Sequence, residues 1–324
     1  MAKVIVVQVV YNNRRFIEPV FKSVFAQSFK DFKFVAVIAG NEDKSKELIL
    51  EKFPDVEVID PGYNIGFSKG HNFVFSRYPE AGFFQLVNPD LILSPNYIQE
   101  MLKAFTDPKV GAATGKLYKI SNIQYPIPNE SKTKVIDTTG VNIFKSGRAR
   151  DRGQHELDSG QYDSLLNVQA VSAAGAMYRA SALNTIGYAL DEKRYEYFDE
   201  DFHSYWEDVD LAWRMANRGW KNVYVPSAVG YHGRVAGSSP GGYKKFFSFV
   251  RFHRAIPQRI RELNYKNHIL MYVKNSPWFY PQFFVREFFM LAYILVFETG
   301  TLKVLPEIIN NFSKMWSKRR FYAK

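Results

Sequence analysis

Six carboxylates fall within twelve residues of this 324-residue chain: Asp199, Glu200, Asp201, Glu207, Asp208 and Asp210. Phe202, Tyr205, Trp206 and Trp213 stand among them. After Trp206 the pattern turns helical, with Val209, Trp213 and Ala216 on one stripe and Gly219 as the stop. Glu207 and Asp208 then occupy the first turn of a helix, where the dipole favours negative charge. Acids start helices for that reason alone. A carboxylate held beside aromatic walls can also take a proton from an incoming hydroxyl, as a general base does.

Other stretches offer complementary chemistry. Asn88-Pro89-Asp90 follows an apolar run. A carboxylate just past a strand end can hold a divalent cation on a diphosphate, although Pro-Asp is also ordinary turn chemistry. In Asn64–Asn72, Gly66 and Gly70 flank a helix start. Glycines there allow close backbone approach and leave amides for a phosphate; a plain turn into a helix accounts for them equally. The spacing matches neither a dinucleotide fingerprint nor a P-loop. His232 comes shortly after the apolar run Lys221–Val225, as a structural ring or a second metal ligand. Arg148, Arg150 and Arg152 lie in Ser146–Gly160, read as a mobile, solvated loop with the chemistry to clamp a diphosphate. Asp137-Thr138-Thr139-Gly140 reads as a polar turn. The small residues Ala173–Ala176 permit close approach of a chain or ligand to the backbone.

Taken in order, these motifs resemble the family 2 glycosyltransferases of the GT-A fold, particularly their rhamnosyltransferase-like bacterial branch. The resemblance covers about residues 4–235. It rests on Val9-Val10-Tyr11-Asn12, Asn64-x-Gly66-Phe67-x-x-Gly70-x-Asn72, Asn88-Pro89-Asp90, Ala174-Gly175-Ala176, Asp199-Glu200-Asp201-Phe202, Trp206–Leu211 and His232. It implies inverting transfer of a sugar from a nucleotide diphosphate donor, dTDP-rhamnose ahead of UDP-sugars, to a hydroxyl. The implied acceptor is a saccharide carried on a polyprenyl diphosphate, used in building a bacterial surface polysaccharide. Asp208 matches the catalytic base, and Glu207 would position the acceptor. Asp90 would bind Mg²⁺ or Mn²⁺ on the diphosphate, with His232 completing the metal site. Tyr11, Asn12, Asn64, Gly66, Phe67, Gly70, Asn72, Asn88 and Gly175 would lie along the nucleotide sugar. The chain departs from the family where the second strand usually ends in Asp-Asn: here Ile38-Ala39-Gly40-Asn41 stands there, and only the later Asp43 fits. The metal motif also begins with Asn88 in place of an aspartate.

The elements that must position these residues alternate. Val4–Val10 is a continuous apolar run, as in a central parallel strand, and lacks the cleavage pattern of a secretory leader. Helix 14–29, strand Phe32–Ile38, helix Lys44–Phe53 and strand Val56–Ile59 follow, then a helix to Arg77 and strand Phe83–Val87. That alternation predicts an α/β fold with a mostly parallel sheet flanked by helices, whose ligands sit at the carboxyl ends of the strands. Ser94–Phe105 is expected to be helical, Val110–Lys119 a strand pair and Ser181–Ile186 a short helix. A sugar-1-phosphate nucleotidylyltransferase of related fold would carry a basic Gly-rich loop after the first strand, where Tyr11-Asn12-Asn13 stands.

Charge divides the chain. Residues 243–324 hold 15 Lys+Arg and 4 Asp+Glu, giving +11, while residues 1–242 carry 28 of each sign. Domains are therefore expected at 1–236, the glycosyltransferase unit, and 237–324, a basic, aromatic, helical extension, with a flexible break over Gly237–Gly242. Cysteine is absent, which excludes disulfides, thiolate metal sites and cysteine nucleophiles. No nucleic-acid motif accompanies the basic tail. Its interleaved Lys, Arg, Phe, Tyr and Trp suit a helix lying on an anionic membrane; a helical cap packed on the catalytic domain is the alternative. The charge-free run Phe288–Phe297 is far short of the about 20 residues that span a bilayer. The expected location is peripheral, on the cytoplasmic face of the cell membrane.

Overall fold

The computed structural model describes residues 3–191, 194–234 and 246–322. The expected break over Gly237–Gly242, and Tyr243-Lys244-Lys245 at the head of the tail, lie outside them. The chain opens with β1 (Val4–Tyr11), α1 (Arg14–Phe25), β2 (Phe32–Gly40), α2 (Ser45–Lys52), β3 (Glu57–Ile59), α3 (Gly66–Arg77) and β4 (Phe83–Leu86). The short β5 (Leu91–Leu93) then leads to α4 (Tyr97–Ala104) and β6 (Val110–Lys119). Four two- or three-residue strands follow: β7 (Ile136–Thr138), β8 (Val141–Ile143), β9 (Ala149–Asp151) and β10 (Asn167–Val168). Then come β11 (Met177–Arg179), α5 (Ala180–Ile186), the hairpin β12 (Tyr188–Ala189) and β13 (Tyr195–Glu196), α6 (Glu207–Asn217) and β14 (Lys221–His232). Helices α7 (Phe246–Ala255), α8 (Gln258–Asn275), α9 (Pro281–Phe297) and α10 (Leu305–Tyr322) complete the chain.

The main sheet has ten strands, and its principal path runs β10-β14-β6-β11-β4-β1-β2-β3. β1 is parallel to both β2 and β4, β2 to β3, and β14 to β6; β11 runs antiparallel between β4 and β6. Val4, Ile5, Val6 and Val7 are fully buried, as a strand covered on both faces requires. One core lies between the sheet and α1, α2 and α4; the other joins α3, α5 and α6 to the sheet. The mixed, mostly parallel sheet flanked by helices is the expected class. Two local expectations are corrected. Val110–Lys119 is one continuous strand, because Gly111 and Gly115 sit inside it and serve close packing: a Cβ on Gly115 would lie 2.6 Å from the Tyr97 ring. Ser146–Gly160 is not a mobile loop, because β9 within it pairs with β8 just before it. Arg152 there is buried, donating to Thr139 Oγ1 and O and to Leu165 O.

The extension is not a separate body. Tyr265, Leu270, Met271, Val273, Ile294 and Met315 share the second core with α3, α5 and α6. Lys274 of α8, with its side chain 1% exposed, places its ammonium 2.6 Å from Asp199 Oδ2 and 3.0 Å from Asp210 Oδ2. Lys318 of α10 lies 2.8 Å from Asp199 Oδ1, and Arg214 Nε donates to Asp210 Oδ2 at 2.9 Å. Part of the tail's positive charge therefore answers the acidic stretch inside the protein. Removing one partner of a buried charge cluster leaves the others uncompensated. Lys274→Met is expected to cost about 3–5 kcal/mol of unfolding free energy in urea titration; a loss below about 1 kcal/mol, the scale of a surface pair, would contradict this role.

Candidate active site

Strand register assembles the first corner. His232, the last residue of β14, pairs with Leu91 of β5, which brings Asp90 alongside the ring. Gly233 N donates to Asp90 O at 2.8 Å and fixes the turn. His232 Nε2 then lies 3.2 Å from Asp90 Oδ1, and its Nδ1 2.9 Å from Asp137 Oδ2. Burial opposes a charge on the ring, but the hydrogen bonds and charges of Asp137 and Asp90 overcome it and raise its pKa to about 9. Burial likewise opposes charge on Asp90, and the His232 ring outweighs it, leaving the carboxyl below its usual range. Asp137, fully buried in β7, was read from the sequence as turn chemistry. Locally the sequence shows only a carboxylate behind the apolar pair Val135-Ile136; its partner His232 comes from long-range pairing. Asp137 also receives Arg234 Nε at 3.2 Å, and Arg234 Nη1 reaches Asp151 at 2.5 Å.

These residues fit a divalent cation. Adjacent ligand atoms on one such ion stand about 3 Å apart, the Asp90–His232 spacing. A carboxylate behind the imidazole is the arrangement that orients a metal-binding ring. The trio Glu196, Asp199 and Asp201 also brings three carboxylates together. There, however, the Lys318 ammonium sits 2.5 Å from Glu196, 2.8 Å from Asp199 and 3.3 Å from Asp201. A lysine fills the place an ion would take.

The second corner is the head of α6. Its approach is strained: His203, Tyr205 and Trp206 all have positive φ, 61°, 70° and 73°. Non-glycine residues hold that conformation only when neighbours enforce it. α8 supplies the enforcement. Asn267 Nδ2 lies 3.0, 2.9 and 2.8 Å from the carbonyls of Phe202, Ser204 and Tyr205. Trp206 Nε1 donates to Asn264 Oδ1 at 2.9 Å. Asp208 Oδ2 accepts from Ala173 N at 3.1 Å and Oδ1 from Val209 N at 2.8 Å. Burial raises the Asp208 pKa despite those bonds. Glu207 is pushed well above its usual range by burial and by the Asp208 charge, and its Oε2 has no partner among the described residues.

Both corners face one cavity of about 640 Å³. Asp90, His232, Glu207 and Asp208 line it, as do Phe67, Asn88 and Arg150. α8 and α9 close its far wall with Ile260, Arg261, Tyr265, Arg286, Met290 and Ile294. A raised-pKa carboxylate and a metal-fitting pair in one chamber can deprotonate a hydroxyl while a diphosphate is held nearby.

The other expected residues fall elsewhere. Asn12 and Asp43 line a separate groove beside α1 and α2. Asp43 is engaged there: Oδ2 accepts from Arg14 N at 2.6 Å, and Oδ1 from Ser45 N at 3.0 Å and Ser45 Oγ at 2.6 Å. Tyr11 is half exposed, its ring against Gly40. Asn64 Oδ1 accepts from Gly66 N at 2.9 Å and His203 O from Ser68 N at 3.4 Å, so these first-turn amides of α3 already have partners. Gly70 serves packing: a Cβ would meet Val9 at 2.8 Å. Asn72 is buried and binds the 197–200 backbone, donating to Phe198 O at 2.8 Å and accepting from Phe198 N at 2.8 Å. Gly175 leaves room for Tyr97, whose hydroxyl donates to Gly175 O at 2.8 Å.

The family model for glycosyl transferase family 2 matches residues 5–187. This chain belongs to that family. An N-acetylglucosaminyl-diphospho-decaprenol L-rhamnosyltransferase of Mycobacterium tuberculosis is 25% identical over 208 residues, which span 60% of this chain and 64% of that protein. The match thus covers less than two thirds of the relative's length. Among solved structures, GalNAc-T7 with UDP, GalNAc and Mn²⁺ superposes with a TM-score of 0.54 at 10% identity, covering 96% of this chain and 58% of that one. A mannosyltransferase from Pyrobaculum calidifontis with GDP-Man and Mn²⁺ gives 0.51 at 14% identity, covering 96% and 75%. These two establish likeness of fold.

A raised pKa means that folding disfavours the Asp208 charge, so its contribution to stability falls as pH rises from 3.8 through the folded value. Asp208→Asn should therefore unfold at the same temperature or higher at pH 8, while the sugar transfer proposed below, with Asp208 as its base, should fall by about 10²–10⁴-fold. Wild-type-level transfer, or a clear loss of thermal stability, would contradict the assignment.

Proposed function

We propose that the chain is an inverting, metal-assisted glycosyltransferase acting on a nucleotide diphosphate sugar. The observation that carries this is the shared cavity, with Asp208 at one corner and the Asp90–His232 pair at another. Asp208 takes the proton from the acceptor hydroxyl as that oxygen attacks the anomeric carbon; the sugar–phosphate bond breaks on the opposite side, and the configuration inverts. No covalent nucleophile is required. Asp90 and His232 would hold Mg²⁺ or Mn²⁺, which when bound stabilises negative charge growing on the departing diphosphate. Asp137 orients His232, Asn88 and Phe67 border the donor, and Glu207, whose burial favours the protonated carboxyl, borders the acceptor. Tyr11, Asn12 and Asp43 serve the base from the neighbouring groove through backbone groups and rings, since the Asp43 oxygens are engaged.

The preferred donor is dTDP-rhamnose and the preferred acceptor a saccharide on a polyprenyl diphosphate, in surface polysaccharide synthesis. The name of the mycobacterial relative supports both choices. Residues 1–236 form the transferase unit in this reading, and 237–324 complete it. The helical end also provides a membrane-facing surface. Phe284, Val285, Phe288, Phe289, Leu295 and Val296 of α9 are each more than half exposed and recur on one side of the helix. Ile309, Phe312 and Trp316 of α10 are exposed too, with Phe279 stacked on Trp316 at 6.0 Å. Among the described residues no helix is long and apolar enough to cross a membrane. A face this apolar on a basic segment supports docking on an anionic bilayer surface, in this reading the cytoplasmic side of the cell membrane.

Thermal unfolding with dTDP, UDP, GDP and CMP, each with and without Mn²⁺, tests the donor. Metal-dependent stabilisation by one diphosphate, dTDP foremost, is expected, and Asp90→Ala should remove it. Absence of a shift with every nucleotide would favour a protein that keeps the fold without the reaction. For the surface, the full chain is expected to sediment with phosphatidylglycerol vesicles at low salt, and the Phe288→Ser/Phe289→Ser/Val296→Ser variant to stay in solution. Equal sedimentation of the two would remove α9 from the membrane role.

A further inference from the structure

Arg261 of α8 and Arg286 of α9 line the cavity and have unused donors. The Arg261 side chain is 15% exposed, and among the described residues it makes no side-chain hydrogen bond. Its nearest carboxylate oxygen is Glu298 Oε1 at 3.5 Å. That oxygen already receives His253 Nδ1 at 2.5 Å and the Tyr293 hydroxyl at 3.0 Å. Arg286 Nη1 lies 3.0 Å from His268 Nδ1 and contacts Glu287 Oε1. Among the described residues, the Nε atoms of both arginines are buried without a partner. A guanidinium carries five donors in a fixed fork, and leaving such donors unmet in a largely desolvated wall is costly. An anion with several oxygens would meet them, and a diphosphate matches the fork.

The surroundings indicate which diphosphate. The Asp90–His232 corner, suited to a metal-bound donor diphosphate, comes from the sheet; the two arginines come from the helices after it. Beside them the wall is apolar, formed by Ile256, Ile260, Met290 and Ile294. Helix α9 has two faces. Arg286, Met290 and Ile294 recur every four residues along the cavity, while Phe284, Phe288 and Leu295 lie exposed. A ligand with an apolar chain next to an anionic head suits that wall, and it reaches the cavity past the helix that carries the outward apolar stripe.

We infer that Arg261 and Arg286 form an acceptor subsite that binds the diphosphate of an isoprenoid-linked saccharide, with the first isoprene units against Ile256, Ile260, Met290 and Ile294. This rests on the reading of the chain as a transferase to a lipid-linked acceptor. The bound diphosphate fixes how far the saccharide extends towards Asp208. The subsite selects the carrier, and the sheet side of the cavity selects the donor.

The test uses the full chain, calorimetric titration and farnesyl diphosphate below its micellar concentration as probe. Farnesol, which lacks the diphosphate, and the nucleoside diphosphate that stabilises the protein with Mn²⁺ are the comparison ligands. Wild type should bind farnesyl diphosphate at least about tenfold tighter than farnesol, and Arg261→Gln and Arg286→Gln should each weaken it about tenfold, the loss expected for a charge-assisted contact. Nucleoside diphosphate binding should stay within about twofold in both. If either Gln variant fails to fold, Arg261→Lys and Arg286→Lys carry the test: they keep the charge, lose the fork and should still weaken the probe. Variants that bind farnesyl diphosphate like wild type overturn the proposal. So does equal weakening of the nucleotide, which would assign the arginines to the donor. Wild type that binds nucleotide but not farnesyl diphosphate refutes this inference alone; wild type that binds no nucleotide refutes the transferase reading beneath it.

Discussion

The Lys274 ammonium, closed between Asp199 and Asp210, is the contact on which the rest of the structure depends. Three lengths of chain meet there: the segment before the strained turn, the first turns of α6 and the C-terminal end of α8. Burial alone would push the Asp199 proton on, but Lys274 and Lys318 hold its carboxyl far below the usual range. Once Lys274 anchors α8, Asn264 and Asn267 of the same helix reach the turn and hold its left-handed residues. The direction of the Asp208 carboxylate is thus set by a helix more than fifty residues later in the chain. In the proposed reading the extension helps to aim the reaction.

This explains how one acidic stretch does two opposite things. Asp199 and Asp210 are buried with cations and are structural. Glu207 and Asp208 are buried with no ion pair among the described residues, facing a chamber, and their pKa values rise. The charged state of Asp199 stabilises the fold, and those of Glu207 and Asp208 oppose it. Helix geometry makes the division: Asp210 lies one turn beyond Trp206 and points to Arg214, while Asp208 turns towards Ala173.

The sheet was legible because its strands are nearly unbroken apolar runs, and the helices between them keep a 3.6-residue period. α3 was legible to its last residue, Arg77. The family resemblance implied that Asp90 and His232 share a site, and strand register supplies their contact. What could not be read was long-range. Asp137 and Arg234 enter the site through pairings that no local pattern announces. Asn72 and Gly70 have the residue types of a ligand loop, yet the first ties α3 to residues 197–200 and the second lets α3 lie against β1. The tail's charge pointed outward in the sequence, because its excess can be counted there but its partners cannot. Lys274 and Lys318 turn inward, and the apolar stripe of α9 faces out.

In the proposed function the metal ion belongs to Asp90 and His232, across the cavity from Asp208, while lysine holds the acidic trio. Anomalous diffraction from crystals grown with Mn²⁺ and the stabilising nucleoside diphosphate measures this directly. The account predicts one manganese peak in bonding contact with the Asp90 carboxylate and His232 Nε2, with the diphosphate on it and Lys318 still among Glu196, Asp199 and Asp201. A peak at the trio with Lys318 displaced, or a nucleotide bound away from Asp90, would contradict it.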